Sequence, residues 1–145
     1  MLVIVGHGPS LRNNRFGPLI DSIGFVVRLK KAATDPVHRG VRTDVVCSRS
    51  ADDAPHWLFP DCVSWDWRAH WKRHSRHPKP STGASAVFAA FELRPQDEIV
   101  LAGCDYLMHP RARHPCPEWG HDSSGEHRAI MALGVRIIGI EELNG

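Results

Sequence analysis

Short apolar runs that alternate with helix-like segments constrain the fold of this chain more than any other feature. The runs contain almost no polar residues, which is typical of strands buried on both faces of a parallel sheet. None approaches the roughly 20 apolar residues that span a bilayer. Strands are predicted at Leu2–Val5, Phe25–Leu29, Asp44–Cys47, Glu98–Ala102 and Val135–Ile140.

Helices are predicted in three of the intervals between these strands. A short helix fits Gly17–Ser22, a longer one runs from Ala84 to Arg94 before Pro95, and a third runs from Ser123 to Leu133. The stretch from Ala51 to Pro80 shows no sustained period and is interpreted as irregular. Alternating strands and helices predict an α/β fold in one domain covering residues 1–145, a Rossmann-like sandwich with a mostly parallel sheet flanked by helices.

Charge and cysteine content narrow the class of protein. The formal net charge is only +2, and 10 histidines make the surface more basic below about pH 6.5. This weak bias suits an anionic ligand such as a nucleotide but does not by itself indicate nucleic-acid binding. Four cysteines do not make a disulfide scaffold, and the apolar N-terminal run is too short for a signal peptide. We therefore expect a cytoplasmic protein with reduced thiols.

The loop after the first predicted strand has the sequence Gly6-His7-Gly8-Pro9-Ser10. Glycines in such a loop let backbone N–H groups approach a phosphate or ribose closely. The loop lacks the lysine spacing of a Walker loop, and it lacks the third glycine of a dinucleotide site because position 11 is Leu. Taken alone, it is equally compatible with an ordinary turn after a strand.

Three segments carry a more specific pattern. The first comprises Val3–Leu11, Gly17, Ile20-Asp21-Ser22, Phe25–Leu29 and Gly40-Val41-Arg42-Thr43; the second Pro80-Ser81-Thr82-Gly83 with Asp97–Gly103; the third His121-Asp122 with Glu126. In this order they resemble the large, small and very small sialylmotifs of the sialyltransferases, the animal-type pattern of glycosyltransferase family 29. The resemblance implies a short, cytoplasmic, bacterial or phage-like sialyltransferase with a GT-A-variant fold. Such an enzyme moves a CMP-activated, sialic acid-like sugar to an acceptor hydroxyl with inversion.

The resemblance assigns donor binding to two parts of the chain. The residues concerned are Gly6, His7, Gly8, Pro9, Ser10, Arg28 and Lys30, together with Ser81, Thr82 and Gly83. The last three lie at a predicted helix start, where unpaired N–H groups and the helix dipole favour an anion, and Ser81 or Thr82 also suits a helix cap. The family usually has Asn in place of His7 and Lys30. Both side chains still donate hydrogen bonds, and Lys30 adds a charge suited to phosphate. No metal or cofactor is expected, since the CMP-sugar is a substrate.

His121 is the predicted general base. A neutral imidazole can accept the proton of the acceptor hydroxyl as its oxygen attacks the anomeric carbon. Asp21, Ser123 and Glu126 are assigned structural roles. Ser123 and Glu126 have the spacing of a capping box, which would hold the loop that bears His121.

Two further histidines lie between the second and third motifs, where the family supplies a histidine to the departing phosphate. His109 and His114 both fit, and the sequence does not choose between them. Secreted animal members join their large and small motifs by a disulfide, but the corresponding positions here are Leu2 and Gln96. The lack of that bridge agrees with a reducing compartment.

Three alternative functions stay open. Zinc accepts the ligand types present at Cys104, His109, His114, Cys116 and His121, although no Cys-x-x-Cys pair occurs. A nucleotide or nucleotide-sugar binding or hydrolysing protein that has lost acceptor transfer would also fit a chain this short. The aromatic and basic stretch from Trp65 to Lys79 suits base stacking or an anionic acceptor. The implied partners are a nucleotide-sugar donor and a hydroxyl-bearing acceptor, a glycan in preference to a nucleic acid; the oligomeric state is not indicated.

Overall fold

The computed structural model describes residues 1–30, 33–48, 63–66, 80–108 and 120–144. Within these ranges the strands of one sheet are β1 (Leu2–Val5), β2 (Phe25–Leu29), β3 (Val45–Ser48), β4 (Val63–Asp66), β5 (Ile99–Ala102) and β6 (Ile137–Gly139). Their order across the sheet is β4-β3-β2-β1-β5-β6, and every pair is parallel. The predicted α/β fold with flanking helices is confirmed.

Helices of very different length connect the strands. They are α1 (Gly17–Ser22), α2 (Thr82–Leu93), α3 (Asp105–Met108), α4 (Ser123–Met131) and α5 (Ile140–Leu143), with a 3₁₀ turn at Pro9–Leu11. The last predicted strand is shorter than expected, because the chain turns into α5 at Ile140. No helix in the described ranges is long and apolar enough to cross a bilayer.

The strand β4 corrects the sequence analysis, which interpreted residues 51–80 as irregular. It pairs in parallel with β3, with Val63 opposite Val45 and Asp66 opposite Ser48. Its Val-Ser-Trp-Asp sequence has no continuous apolar run, and β4 is the edge strand of the described sheet.

The residues of β1 show why its sequence is apolar throughout. Leu2 and Ile4 belong to the core on the face of the sheet that α2 covers, whereas Val3 and Val5 belong to the core on the opposite face. Successive side chains of a strand point to opposite faces, and all four of these side chains are fully buried. The strand β1, covered on both sides, therefore leaves none of its side chains exposed to water.

The helix α2 is buried along most of its length, from Gly83 to Ala90. Its many alanines let it lie close to β1, β2 and β3. A helix that connects parallel strands runs antiparallel to them, so its N-terminus lies at the carboxyl edge of the sheet. This packing brings Ser81 and Gly83 to the edge where the strand-following loops emerge.

The strand order places a topological switch point between β1 and β5. From β1 the sheet extends through β2 and β3 to one side, and from β5 it extends through β6 to the other. Ligands of open α/β sheets bind in the crevice that such a reversal opens at the carboxyl ends of the strands. The loop that follows β1 and the segment that follows β5 both begin there.

Candidate functional site

The loop after β1 is hydrogen-bonded to the segment after β5. Gly6 N–H donates to Ala102 O at 2.8 Å, and Gly8 N–H donates to Gly103 O at 2.7 Å. These bonds continue the pairing of the two strands beyond their ends. The expected cradle of free backbone N–H groups is therefore mostly absent, since Pro9 has no N–H group and the remaining donors of the loop are largely used within the protein.

Asp105 fixes the far end of the same loop. The Ser10 hydroxyl donates to Asp105 Oδ1 at 2.5 Å, and Ser10 N–H donates to Asp105 Oδ2 at 3.1 Å. Both hydrogen-bond donors of Ser10, a residue predicted to bind the sugar donor, are thus occupied within the protein. Within the described residues, His7 has the one N–H group of this loop without a hydrogen bond inside the protein.

The loop glycines are required by this close packing. A Cβ on Gly8 would lie 2.6 Å from both Asp105 Oδ2 and Gly103 O, and a Cβ on Gly6 would lie 2.5 Å from Gly103 O. Contacts this short to backbone oxygens cannot be relieved by a side-chain rotation. The glycines therefore serve the approach of two protein segments to one another.

His7 lies at the mouth of this crevice, over the end of β2. Burial of the imidazole lowers the pKa of His7, a hydrogen bond with the Leu29 backbone opposes that change, and the positive charges of Arg39 and Lys30 lower the pKa further. The residue as a whole is nevertheless exposed. At pH 7 the ring is consequently neutral and donates to the Leu29 carbonyl, since this bond favours the protonated ring nitrogen.

Lys30 follows β2 directly and has left-handed backbone geometry, with φ at 49°. Its N–H group donates to Cys47 O at 2.9 Å, which continues the β2–β3 pairing. A lysine seldom adopts this conformation, and such backbone geometry concentrates at functional sites. The turn brings Lys30 next to His7, so the two positions at which the family usually has Asn are neighbours.

Arg28 was expected to contact the donor, and its position corrects that expectation. The side chain is fully buried. Its Nε donates to Thr43 Oγ1 at 2.8 Å, and its Nη2 donates to Arg42 O at 2.8 Å and to Arg39 O at 3.1 Å. The guanidinium holds residues 39–43 against β2 and has no surface to offer a ligand.

Asp21 supports the same segment from α1. Its carboxylate accepts hydrogen bonds from Val41 N–H at 3.0 Å and from Arg42 N–H at 2.9 Å. Gly40, with φ at 70°, makes the turn that directs both N–H groups toward Asp21.

Ser81 is the N-cap of α2, and its side chain accepts Ala84 N–H at 3.2 Å. The carboxylate of Glu126, on α4, accepts Ser81 N–H at 2.5 Å and the Ser81 hydroxyl at 2.6 Å. Both residues are buried. A negative charge from the protein itself therefore already lies where the dipole of α2 favours one.

The predicted capping box at the start of α4 is wrong. Asp122 is the N-cap and accepts Gly125 N–H at 3.0 Å. Ser123 Oγ is buried and has no hydrogen-bond partner within the described residues. Glu126 has the spacing of a capping-box residue but extends to Ser81 instead, 45 positions earlier, so no local pattern could show the pair.

Tyr106 completes the surroundings of the α2 N-terminus. Its hydroxyl is hydrogen-bonded to the Ser81 side chain and to the Gly83 backbone, and burial raises the pKa of Tyr106. A Cβ on Gly83 would lie 2.6 Å from the Tyr106 hydroxyl and 3.6 Å from Leu29 Cδ1. Because His7 also bonds the Leu29 backbone, the two segments expected to bind the donor lie on the same edge of the sheet.

The short helix α3 connects three parts of this region through consecutive residues. Asp105 holds the first loop, and Tyr106 holds the start of α2. Leu107 O accepts a hydrogen bond from His127 Nδ1 of α4 at 2.6 Å. The helix α3 therefore contacts all three segments.

His121 is partly exposed and precedes the N-cap of α4. Gly120, with φ at 72°, turns the chain into it. The contacts of α4 with α2 and α3 place its start beside the segments described above. His109 and His114 lie outside the described residues.

The alternative zinc site gains no support within the described ranges, where no group of three His, Cys, Asp or Glu side chains could hold a metal ion. Cys104 is buried, and burial raises the pKa of its thiol to about 12. The candidates between Cys104 and His121 lie outside the described residues, as does the aromatic and basic stretch after Asp66.

No protein-family model matches the sequence, and no curated protein matches it. The structure is similar to the crystal structure of a mammalian sialyltransferase in complex with Gal-beta-1-3GalNAc-ortho-nitrophenol, with a TM-score of 0.55 and 19% sequence identity. The similarity covers 94% of this chain and 68% of that chain. The chain has a sialyltransferase-like fold.

The sialyltransferase-like fold places three residues at its carboxyl edge that the sequence analysis did not single out: Arg39, Asp105 and Tyr106. Asp105 and Tyr106 come just after β5, so a correct strand order would have pointed to them. Arg39 lies in a turn, and no pattern marks it. Of the three, Arg39 is the cation that could bind an anion beside His7, whereas Asp105 and Tyr106 hold the loop after β1 and the start of α2 in place.

Proposed function

We propose that this protein is a glycosyltransferase that transfers an acidic sugar from a CMP-activated donor to an acceptor hydroxyl, with inversion. The main support is one observation. The loop after β1 and the N-terminus of α2, which lie far apart in the sequence, meet on α3 at the switch point of a sialyltransferase-like fold. This is the crevice in which an open α/β sheet binds its ligand.

In this proposal the phosphate lies beside His7 and Lys30. The backbone N–H group of His7 and the Lys30 ammonium bind the phosphate oxygens. They stabilise the negative charge that develops on the phosphate as its bond to the sugar breaks. Because a cation supplies this stabilisation, we propose transfer without a metal.

The carboxylate of the sugar lies near Thr82 and Gly83 at the start of α2. Beside this position, the Glu126 carboxylate accepts hydrogen bonds from the N–H group and the hydroxyl of Ser81. The sugar carboxylate therefore binds next to that buried carboxylate and does not replace it. Like charges repel at short range, and the separation is therefore several ångströms in this arrangement.

His121 is proposed as the general base. It removes the proton of the acceptor hydroxyl as the oxygen attacks the anomeric carbon, and the C–O bond to the CMP phosphate breaks. The mammalian sialyltransferase was crystallised with a disaccharide derivative, and we propose a glycan hydroxyl as the acceptor here.

The test measures release of CMP from CMP-sialic acid, with and without Gal-beta-1-3GalNAc-ortho-nitrophenol, and detects the sialylated product by mass spectrometry. Parallel reactions contain EDTA, and binding of CMP and UDP is compared by calorimetry. Acceptor-dependent CMP release that survives EDTA supports the proposal. CMP release without product would favour the hydrolase alternative, and absence of cytidine nucleotide binding would contradict the donor assignment.

A further inference from the structure

The turn formed by residues 35–40 is hydrogen-bonded to β2 on one side and, through Asn14, to the loop after β1 on the other. These two elements flank the proposed phosphate position. Arg28 Nη2 donates to Arg39 O at 3.1 Å, which ties the turn to β2 two residues before Lys30. On the other side, His38 Nδ1 bonds Asn14 O, and Asn14 Nδ2 donates to Ser10 O. The turn is thus fixed beside the loop that carries His7.

The Arg39 side chain is only 20% exposed, yet it lacks a close counterion within the described residues. Its nearest carboxylate is Asp35, with 4.0 Å between Nε and Oδ2, a long ion pair. Asp35 instead accepts the N–H groups of Val37 and His38 through its other oxygen. Those bonds define the turn, so Asp35 cannot move closer without breaking them.

The positive charges of Arg39 and Lys30 both act on the imidazole of His7, because each lowers the pKa of His7. Asp105, the carboxylate that holds the loop after β1, is committed to Ser10 through both oxygens. Two permanent cations are thus near enough to His7 to act on its charge. A guanidinium is planar and offers paired N–H donors, which match the geometry of a phosphate.

We propose that Arg39 is a specificity-determining residue that binds the nucleotide phosphate together with Lys30 and His7, so that affinity depends on the phosphate charge. This inference rests on the proposed function for the identity of the nucleotide. It concerns a residue outside the three motif segments, and its basis is the placement of the turn.

The test compares calorimetric affinities of cytidine, CMP and CDP for the wild-type chain, Arg39→Gln and Arg39→Lys, with Arg136→Gln as the control. Arg136 is exposed and pairs with Glu98. It directly precedes β6, which is separated from β2 by β1 and β5 in the sheet. The panel also contains UMP, AMP and pyrophosphate. Thermal melts establish that each variant is folded.

We expect Arg39→Gln to weaken CMP binding at least tenfold and CDP binding more, with cytidine unchanged, and Arg39→Lys to recover part of the loss. CMP affinity within twofold of wild type in Arg39→Gln would overturn the inference and leave the proposed function intact. If CMP does not bind but another phosphate does, with the same dependence on Arg39, the inference holds and the donor assignment fails. If no phosphate-bearing probe binds the wild-type chain, both fail.

Discussion

Glu126 accepts two hydrogen bonds from Ser81, one through each carboxylate oxygen, and neither residue exposes more than 1% of its surface. The contact joins the start of α2 to the first turn of α4. A buried carboxylate is tolerated only when it is fully hydrogen-bonded, so this pair strongly favours one relative position of the two helices. The proposed base and the proposed donor site are therefore connected through a buried contact between α2 and α4.

Glu126→Gln is expected to lower the free energy of unfolding by about 1–3 kcal/mol, because the amide nitrogen cannot accept the Ser81 hydroxyl. Urea denaturation measures the loss. In a double-mutant cycle with Ser81→Ala, the two losses should be clearly less than additive, since each variant breaks the same contact. The matched control is Glu142→Gln, an exposed change on α5, which should stay within about 0.5 kcal/mol of wild type. Additive losses would contradict the coupling.

Gly8→Ala should destabilise the chain and Gly24→Ala should not. The added Cβ at Gly8 lies 2.6 Å from a backbone oxygen, whereas at Gly24 the nearest atom is 3.5 Å away. We expect Gly8→Ala to lower the free energy of unfolding by about 1–3 kcal/mol through overpacking. Thermal and urea melts of both variants check this. Equal stability of the two variants would show that the loops after β1 and β5 are not in close contact.

The architecture was largely predictable because it depends on local signals. Buried parallel strands such as β1 and β5 need apolar residues at every position, and that pattern is visible without a structure. The edge strand β4 has the sequence Val-Ser-Trp-Asp, which contains no continuous apolar run. Its position was therefore missed in a stretch that appeared irregular.

The site was only partly predictable, because its contacts join distant positions. The motif resemblance pointed to His7, Lys30 and Ser81, which the structure brings to one edge of the sheet. It could not show that Glu126 would bond Ser81, nor that burial would remove Arg28 from the ligand surface. Spacing reports the neighbours along a helix or strand, whereas these contacts depend on how α2, α4 and β2 pack.

His121→Ala should reduce transfer by about 10²–10⁴-fold, the usual contribution of a general base. Nucleotide affinity should remain within a few-fold, since the proposed phosphate contacts come from other segments. Steady-state rates and calorimetry separate the two effects. The control is Arg128→Gln, an exposed change on α4, which should leave both quantities unaltered. Undiminished turnover in His121→Ala would remove this residue from the mechanism.

His7 should make stability depend on pH in a way that His7→Asn abolishes. Burial lowers the pKa of His7 in the folded chain, so below about pH 6.5 the unfolded state binds more protons. The free energy of unfolding should therefore fall as the pH drops from about 6.5 toward the folded pKa, and level off below it. Other histidines titrate in the same range, so the measured quantity is the difference between wild type and His7→Asn, from urea melts between pH 5 and 8. We expect the wild type to lose stability relative to His7→Asn as the pH falls. The difference in free energy of unfolding between the wild type and Arg136→Gln should not change with pH. A wild type that gains stability over His7→Asn at low pH would mean that the imidazole is held in its charged form, and that the cations around it do not act as described.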